Sequence, residues 1–253
     1  MILEQFRLDG KTAIVTGCSQ GIGRAIATGL AQAGANITGV DIHPQEETRK
    51  QVEAAGREFL ECTANLAEEA AFDDVIAKTV ARFGHLDILV NNAGITRRQP
   101  AIDFTREDWD AVIAVNQSAV FFCAQKAARQ YIKQGTPGKI VNIASVSACE
   151  GGMKTVAYNA AKAAVKGVTM SMSNEWARYN INVNAIAPGF TVTQLTAPMR
   201  GEQHRVDEMM TRIPMGRWAE PEDMAGAAVY LCSQAASYVS GTTIVVDGGY
   251  LGR

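Results

Sequence analysis

The chain has 253 residues, of which 47% are hydrophobic and 20% charged, and its formal net charge is −2. That balance fits a globular α/β protein with a core of ordinary size. It gives no electrostatic reason to expect nucleic acid or an anionic membrane as partner, and no apolar run is long enough to span a bilayer.

Short β-rich runs alternate with helical stretches along the whole chain. TAIVTG (Thr12–Gly17) reads as the first strand, followed by a helix over Gly21–Gly34. Strands are expected next at Asn36–Asp41 and Phe59–Ala64, then a helix at Ala67–Phe83 and a strand at Leu86–Ala93. A long helix over Glu107–Gln134 leads to a strand at Gly138–Ser145, and a second long helix at Thr155–Tyr179 leads to a strand at Ile181–Pro188. A helix opens near Pro221, and Thr242–Gly249 reads as the last strand. Several strands are near-continuous apolar runs, as parallel strands covered on both faces require. The β-α order therefore implies an open, doubly wound parallel sheet with helices on both sides. No linker or repeat divides the chain, so residues 1–253 are expected to form one domain. The segment 190–216 is too long for a simple connector and reads as a lid over a binding site.

Cys18, Cys62, Cys123, Cys149 and Cys232 form no CxxC pair, and their number is odd. With no secretory signal at the start, the expectation is reduced thiols and a cytoplasmic protein. His43, His85 and His204 are isolated from each other, so no metal site is expected.

Two stretches carry chemistry. After the first strand, TGCSQGIG spaces glycines at Gly17, Gly21 and Gly23. Glycines there allow a backbone to approach a diphosphate, and the following helix points free N–H groups at it. Asp41 ends the second strand, where a carboxylate can accept hydrogen bonds from the adenosine ribose of NAD and repel the 2′-phosphate of NADP. Its neighbours Ile42 and His43, and Ser19 and Gln20 in the turn, supply no cation to offset that repulsion. The expected cofactor is therefore NAD. In the second stretch, AYNAAKAAVKG, Tyr158 and Lys162 stand four apart and share a helix face. An ammonium there could lower the phenol's pKa for proton transfer. Ser145, at a strand's carboxyl end, could hold a substrate oxygen beside the phenol, although composition alone would allow Ser147 instead.

Together these residues resemble the short-chain dehydrogenase/reductase family over essentially the whole chain. TGCSQGIG is similar to the family's cofactor turn, which would bring Ile22 to the cofactor beside Ser19, Gln20 and the glycines. NNAG (Asn91–Gly94), Asn116, Ser145, Tyr158 with Lys162, PGFTVT (Pro188–Thr193) and VDGG (Asp247–Gly249) follow in the family's order. The resemblance implies a Rossmann fold with a seven-stranded sheet of order 3-2-1-4-5-6-7. It implies Tyr158 as acid/base, Lys162 as the group that lowers its pKa and holds the nicotinamide ribose, Ser145 as substrate orienter, and Asn116 as support for a water linked to Lys162. It places Asn92, Ala93 and Gly94 in the cofactor groove, and Pro188, Gly189, Thr191 and Thr193 at the nicotinamide. Asn65-Leu66 stands where many members have Asp-Leu or Asp-Val, so an uncharged amide would meet the adenine. A homotetramer is implied as well, with one interface on the two long helices and another using the apolar C-terminal end.

Finer features resemble the family's sugar-acid dehydrogenases, acting on substrates like 2-dehydro-3-deoxy-D-gluconate or gluconate. Such a substrate needs a cation for its carboxylate. Arg98 is the first candidate and Arg97 the second, since adjacent side chains on an extended segment point oppositely. Arg200, His204, Arg205 and Arg212 in the lid segment are further candidates. A 3-oxoacyl-thioester reductase or other alcohol dehydrogenase is the alternative enzyme. A non-catalytic NAD-binding sensor is the alternative of another class.

Overall fold

A computed structural model describes residues 1–252, with the side chain of Arg205 left out. Seven parallel strands form one sheet in the order β3-β2-β1-β4-β5-β6-β7. The strands are β1 (Thr12–Thr16), β2 (Asn36–Asp41), β3 (Phe59–Thr63), β4 (Ile88–Asn91), β5 (Gly138–Ile143), β6 (Ile181–Pro188) and β7 (Thr243–Val246). Two agree with the sequence expectation at both ends, and the others are shorter by one to a few residues. The lost residues lie at strand ends, where the chain turns toward the site.

Three helices cover one face of the sheet: α1 (Gly21–Gln32), α2 (Glu46–Ala54) and α9 (Ala225–Cys232). Ile26, Leu30, Val52, Met224 and Leu231 pack there against Val15, Ile37 and Val90. The other face carries α3 (Ala71–Phe83), α5 (Ala119–Gln134) and α6 (Val156–Trp176), which bury Phe72, Ile76, Cys123, Tyr131 and Met172 against Ile14, Leu89 and Ile140. Burial on both faces is why the central strands are apolar without alternation.

The long helix expected over Glu107–Gln134 is not uniform. It is α4 (Arg106–Ile113), a π turn over Ala114–Ser118, and then α5. Thr105 caps its start by accepting a hydrogen bond from the Asp108 N–H at 3.1 Å. The π turn inserts one extra residue and reorients the chain at Asn116, the kind of local bulge that recurs at functional sites. Between β6 and α9, residues 190–216 hold two short helices, α7 (Ala197–Arg200) and α8 (Gln203–Arg212).

A buried polar ladder ties the layers together beneath the carboxyl ends of the strands. Asn91 Nδ2 donates to Asn142 Oδ1 at 2.9 Å and to the Val120 carbonyl at 3.2 Å. Asn142 Nδ2 donates to Thr169 Oγ1 at 2.9 Å, and that hydroxyl donates to the Val165 carbonyl at 2.7 Å. The chain thus links β4, β5, α5 and α6 through side chains that are almost fully buried. Satisfied networks of this kind specify one packing, and breaking a member leaves its partners unpaired. Asn142→Ala should therefore lower stability by about 2 kcal/mol or more, read as a drop of several degrees in the thermal midpoint. An unchanged midpoint would contradict the network.

Candidate active site

The carboxyl ends of the strands surround one cavity of about 790 Å³. It straddles β1 and β4, where the strand order reverses, which is where ligands bind in open α/β sheets. Its walls include Gly17, Ser19, Gln20, Gly21, Ile22 and Gly23 from the first turn, and Asp41, Asn65 and Leu66 from the next two strand ends. Asn92, Ala93, Gly94, Ser145, Tyr158, Lys162, Pro188, Gly189, Thr191 and Thr193 line it as well. Residues spread over most of the chain converge because every strand runs the same way.

The glycine turn is fixed from beneath. The Asn92 amide donates to the Thr16 and Gly17 carbonyls, each at 2.9 Å. The Thr16 hydroxyl accepts the backbone N–H groups of Asn92 and Ala93, each at 3.0 Å. Gly17 has φ +65°, and a Cβ on Gly23 would stand 2.1 Å from the Gly17 carbonyl oxygen. No larger residue fits at Gly23. Helix α1 has Gln20 at its N-cap without a side-chain cap bond. Its first N–H groups are thus left to a ligand, with the positive end of the helix dipole behind them. This cradle fits a dinucleotide diphosphate.

At the far end, Asp41 accepts the Ser19 N–H and the His43 N–H, each at 3.0 Å, one on each oxygen. A carboxylate has about four acceptor sites, so room remains for ribose hydroxyls. Asn65 Oδ1 accepts the Ala67 N–H at 3.2 Å, and its amide donates to Glu68 at 3.2 Å. The amide is therefore partly spent on its own turn.

At the other end lie the phenol and the ammonium. Ser145 is buried, and its hydroxyl accepts the Ser147 N–H at 3.1 Å, which holds it in place. Ser147 lines the cavity as well, and its N–H supports the Ser145 hydroxyl. Lys162 is 3% exposed, and its Nζ donates to the Ile143 carbonyl at 2.6 Å. Burial lowers its pKa to about 8. Nζ lies 5.8 Å from the centre of the Tyr158 ring. Burial also pushes the Tyr158 phenol upward, while the neighbouring Ser145 hydroxyl and the Arg98 charge pull it down. Burial is the largest of these causes, followed by the Ser145 hydroxyl and then the Arg98 charge.

Asn116 is fully buried on the π turn, and its side chain grips the backbone of Ile95. Oδ1 accepts the Ile95 N–H at 2.8 Å and Nδ2 donates to the Ile95 carbonyl at 2.9 Å. This clamp fixes the segment carrying Thr96, Arg97 and Arg98. Arg98 lines the cavity, and its buried Nε has no hydrogen-bond partner. Thr96 lines the cavity with an equally unpartnered hydroxyl. Arg97 turns away, pairing with Asp108 at 3.1 Å outside the cavity. The alternation of an extended segment thus separates the two arginines.

Within 190–216, His204 and Arg212 reach the cavity, whereas Arg200 donates to the Thr193 carbonyl at 3.1 Å and does not line it. The side chain of Arg205 lies outside the described residues. Among the cavity residues not legible in the sequence are Glu150, in the loop after β5, and Tyr250, near the C-terminus. The VDGG motif explains Tyr250. Asp247 accepts the N–H groups of Gly249 and Leu251, each at 2.8 Å, and curls the chain so that Tyr250 is 4% exposed against the cavity wall. The C-terminal end expected at a subunit contact thus puts its tyrosine into this subunit's own cavity.

Comparison with known proteins agrees with this architecture. A family model described as enoyl-(acyl carrier protein) reductase matches residues 17–251. A 2-dehydro-3-deoxy-D-gluconate 5-dehydrogenase of Dickeya dadantii is 51% identical over 100% of both chains. A gluconate 5-dehydrogenase of Gluconobacter oxydans is 39% identical over 96% of both. A crystal structure from Agrobacterium tumefaciens, described as a candidate 2-deoxy-D-gluconate 3-dehydrogenase with bound NADP, superposes with a TM-score of 0.93. It is 43% identical, covering 98% of this chain and 99% of that one.

The Lys162 ammonium gives a stability prediction with a definite sign. Its folded pKa lies below the unfolded value, so below both values the folded state holds a proton it disfavours. Stability rises with pH between about 8 and the ordinary lysine value, where only the unfolded chain binds that proton. Lys162→Met removes the penalty, and at pH 7 the thermal midpoint should rise by several degrees, corresponding to about 2 kcal/mol. A lower midpoint would refute the reading of Lys162 as a stability cost retained for function.

The cavity's cradle, its phenol and ammonium, the seven-stranded order and the full-length relatives lead to one conclusion: this chain belongs to the short-chain dehydrogenase/reductase family.

Proposed function

We propose that the protein is an NAD-dependent dehydrogenase of a six-carbon sugar acid, interconverting a secondary alcohol and its ketone. The observation that carries the substrate class is Arg98, a cation with an unpartnered buried nitrogen in the same cavity as Ser145 and Tyr158. A buried donor without a partner is costly, and a substrate carboxylate would satisfy it. Relatives named for 2-dehydro-3-deoxy-D-gluconate and gluconate support the same class.

In this reading the nicotinamide, when bound, accepts or supplies the hydride. Tyr158 takes the proton from the alcohol oxygen, or returns it to the ketone oxygen. Ser145 Oγ donates to that oxygen and holds it against the phenol. Lys162 holds the nicotinamide ribose and relays the proton onward. Asn116 keeps the wall beside them in place through Ile95, and its amide has a second N–H for a water on that relay. The cradle of Gly17, Gly21, Ile22 and Gly23 holds the diphosphate, and Leu66 and Asn65 flank the adenine. Asn92, Ala93 and Gly94 back the groove, and the backbone from Pro188 to Thr193 meets the carboxamide. Residues 190–216 act as the lid of a single domain.

The preference for NAD rests on Asp41. Among the described residues, the Lys and Arg side chains on the cavity wall are Arg98, Lys162 and Arg212, and none comes from the strand ends around Asp41. The NADP in the Agrobacterium structure belongs to that protein and makes the cofactor a direct question for assay. The alternative of a 3-oxoacyl-thioester reductase would leave Arg98 without a carboxylate. Assembly as a homotetramer is part of the proposal, supported by exposed Ile132, Met170 and Tyr179 on α5, on α6 and at its end. Light scattering checks it, and a monomer would contradict it. The five free cysteines suit a reducing cytoplasm.

Tyr158→Phe should lower kcat by about 10³-fold or more while dinucleotide binding survives. Arg98→Met should raise KM for the sugar acid at least ten-fold and leave the dinucleotide KM within two-fold. Initial rates at equal concentrations should favour NAD over NADP. Unchanged turnover in the tyrosine variant would remove the acid/base assignment, and faster turnover with NADP would remove that of Asp41.

A further inference from the structure

Among the described residues, the cavity wall carries two arginines in opposite electrostatic situations. Arg98 has an unpartnered Nε, and its charge reaches the Tyr158 phenol. Arg212, at the end of α8, is neutralised. Its guanidinium donates to Glu150 Oε2 at 3.0 Å and lies over the Tyr250 ring, 4.5 Å from the centre. The Tyr250 hydroxyl donates to the other Glu150 oxygen at 2.5 Å. Glu150 thus has both carboxylate oxygens engaged by groups from two distant segments, and all three residues line the cavity. His204 and Glu208 stand eight and four residues before Arg212, on the same face of α8, and line it too.

The cavity is therefore polarised. Its catalytic end carries the cations Arg98 and Lys162, and among the described residues its lid end carries a closed ion pair together with a further carboxylate. A substrate with one carboxylate and a hydroxylated tail matches that polarity, with the carboxylate at Arg98 and hydroxyls at the lid end. A second carboxylate there would face Glu150 and Glu208 and find Arg212 already paired, a like-charge arrangement that disfavours it.

Resting on the sugar-acid reading above, we infer that Glu150 is the residue that selects sugar monocarboxylates over dicarboxylates, by holding Arg212 in a closed pair. Selection then comes from a repulsive element, not only from contacts with the preferred substrate. Tyr250 is a positioning residue that keeps Glu150 turned toward Arg212.

The test compares a monocarboxylate, 2-dehydro-3-deoxy-D-gluconate or D-gluconate, with D-glucarate, a six-carbon acid with a carboxylate at each end. KM is measured for the first and the competitive inhibition constant for the second, in the wild type, Glu150→Gln and Arg212→Met. In Glu150→Gln the free guanidinium should tighten glucarate at least ten-fold. Monocarboxylate KM should move less than three-fold and dinucleotide KM less than two-fold. In Arg212→Met, where the carboxylate stands alone, glucarate should weaken at least three-fold further. If Glu150→Gln does not fold, the arginine variant decides alone. Glucarate binding unchanged in the folded glutamine variant, or tightened in the methionine variant, would overturn the inference while leaving the sugar-acid reading intact. A wild type that oxidises neither monocarboxylate would overturn the sugar-acid reading and this inference with it.

Discussion

The site depends on an ammonium in the protein interior with a single carbonyl to hold it. Lys162 Nζ donates to Ile143 at 2.6 Å, and among the described residues no carboxylate forms an ion pair with it. Isolation of that kind drives the group toward its neutral form, and the pKa of about 8 records it. A carboxylate partner would make Lys162 more comfortable and less useful. It would fix the charge. Lys162 shares α6 with Ala157 and Ala161, which are both fully buried.

Around that cation the remaining parts are placed by backbone devices more than by side-chain packing. Asn92 and Thr16 staple the glycine turn, Asn116 clamps Ile95 from a π turn, and Asp247 curls the chain to aim Tyr250. Each device uses a side-chain amide, hydroxyl or carboxylate to satisfy main-chain groups at a strand end, where the ladder has stopped and those groups would otherwise be unpaired. Strand ends thus become rigid without becoming apolar, as a site for a charged, hydroxylated ligand requires. The buried Asn91–Asn142–Thr169 ladder does the same one layer down.

Much of this was legible in the sequence. The near-continuous strands announced a sheet covered on both faces, and the spacing of Gly17, Gly21 and Gly23 announced the cradle. The four-residue spacing of Tyr158 and Lys162 put both on one face, yet it could not say which neighbour would govern the phenol. That depends on burial first, then on the Ser145 hydroxyl and the Arg98 charge, which come from different strand ends. The π turn escaped because a one-residue bulge leaves helical periodicity almost unchanged. Alternation correctly separated Arg98 from Arg97. Glu150 gave no local signal, since its meaning comes from Arg212 and Tyr250, 62 and 100 residues away along the chain.

The central claim is that this cavity moves a hydride between a sugar acid and nicotinamide with Tyr158 handling the proton. The most direct measurement uses 2-dehydro-3-deoxy-D-gluconate carrying deuterium at C5, incubated with the protein and oxidised dinucleotide, followed by mass spectrometry of the reduced dinucleotide. The account predicts one deuterium per reduced dinucleotide, and in a parallel incubation with the Tyr158→Phe variant formation of that product slowed by about 10³-fold or more. Reduced dinucleotide without deuterium, or no reduction by the wild type, would contradict it.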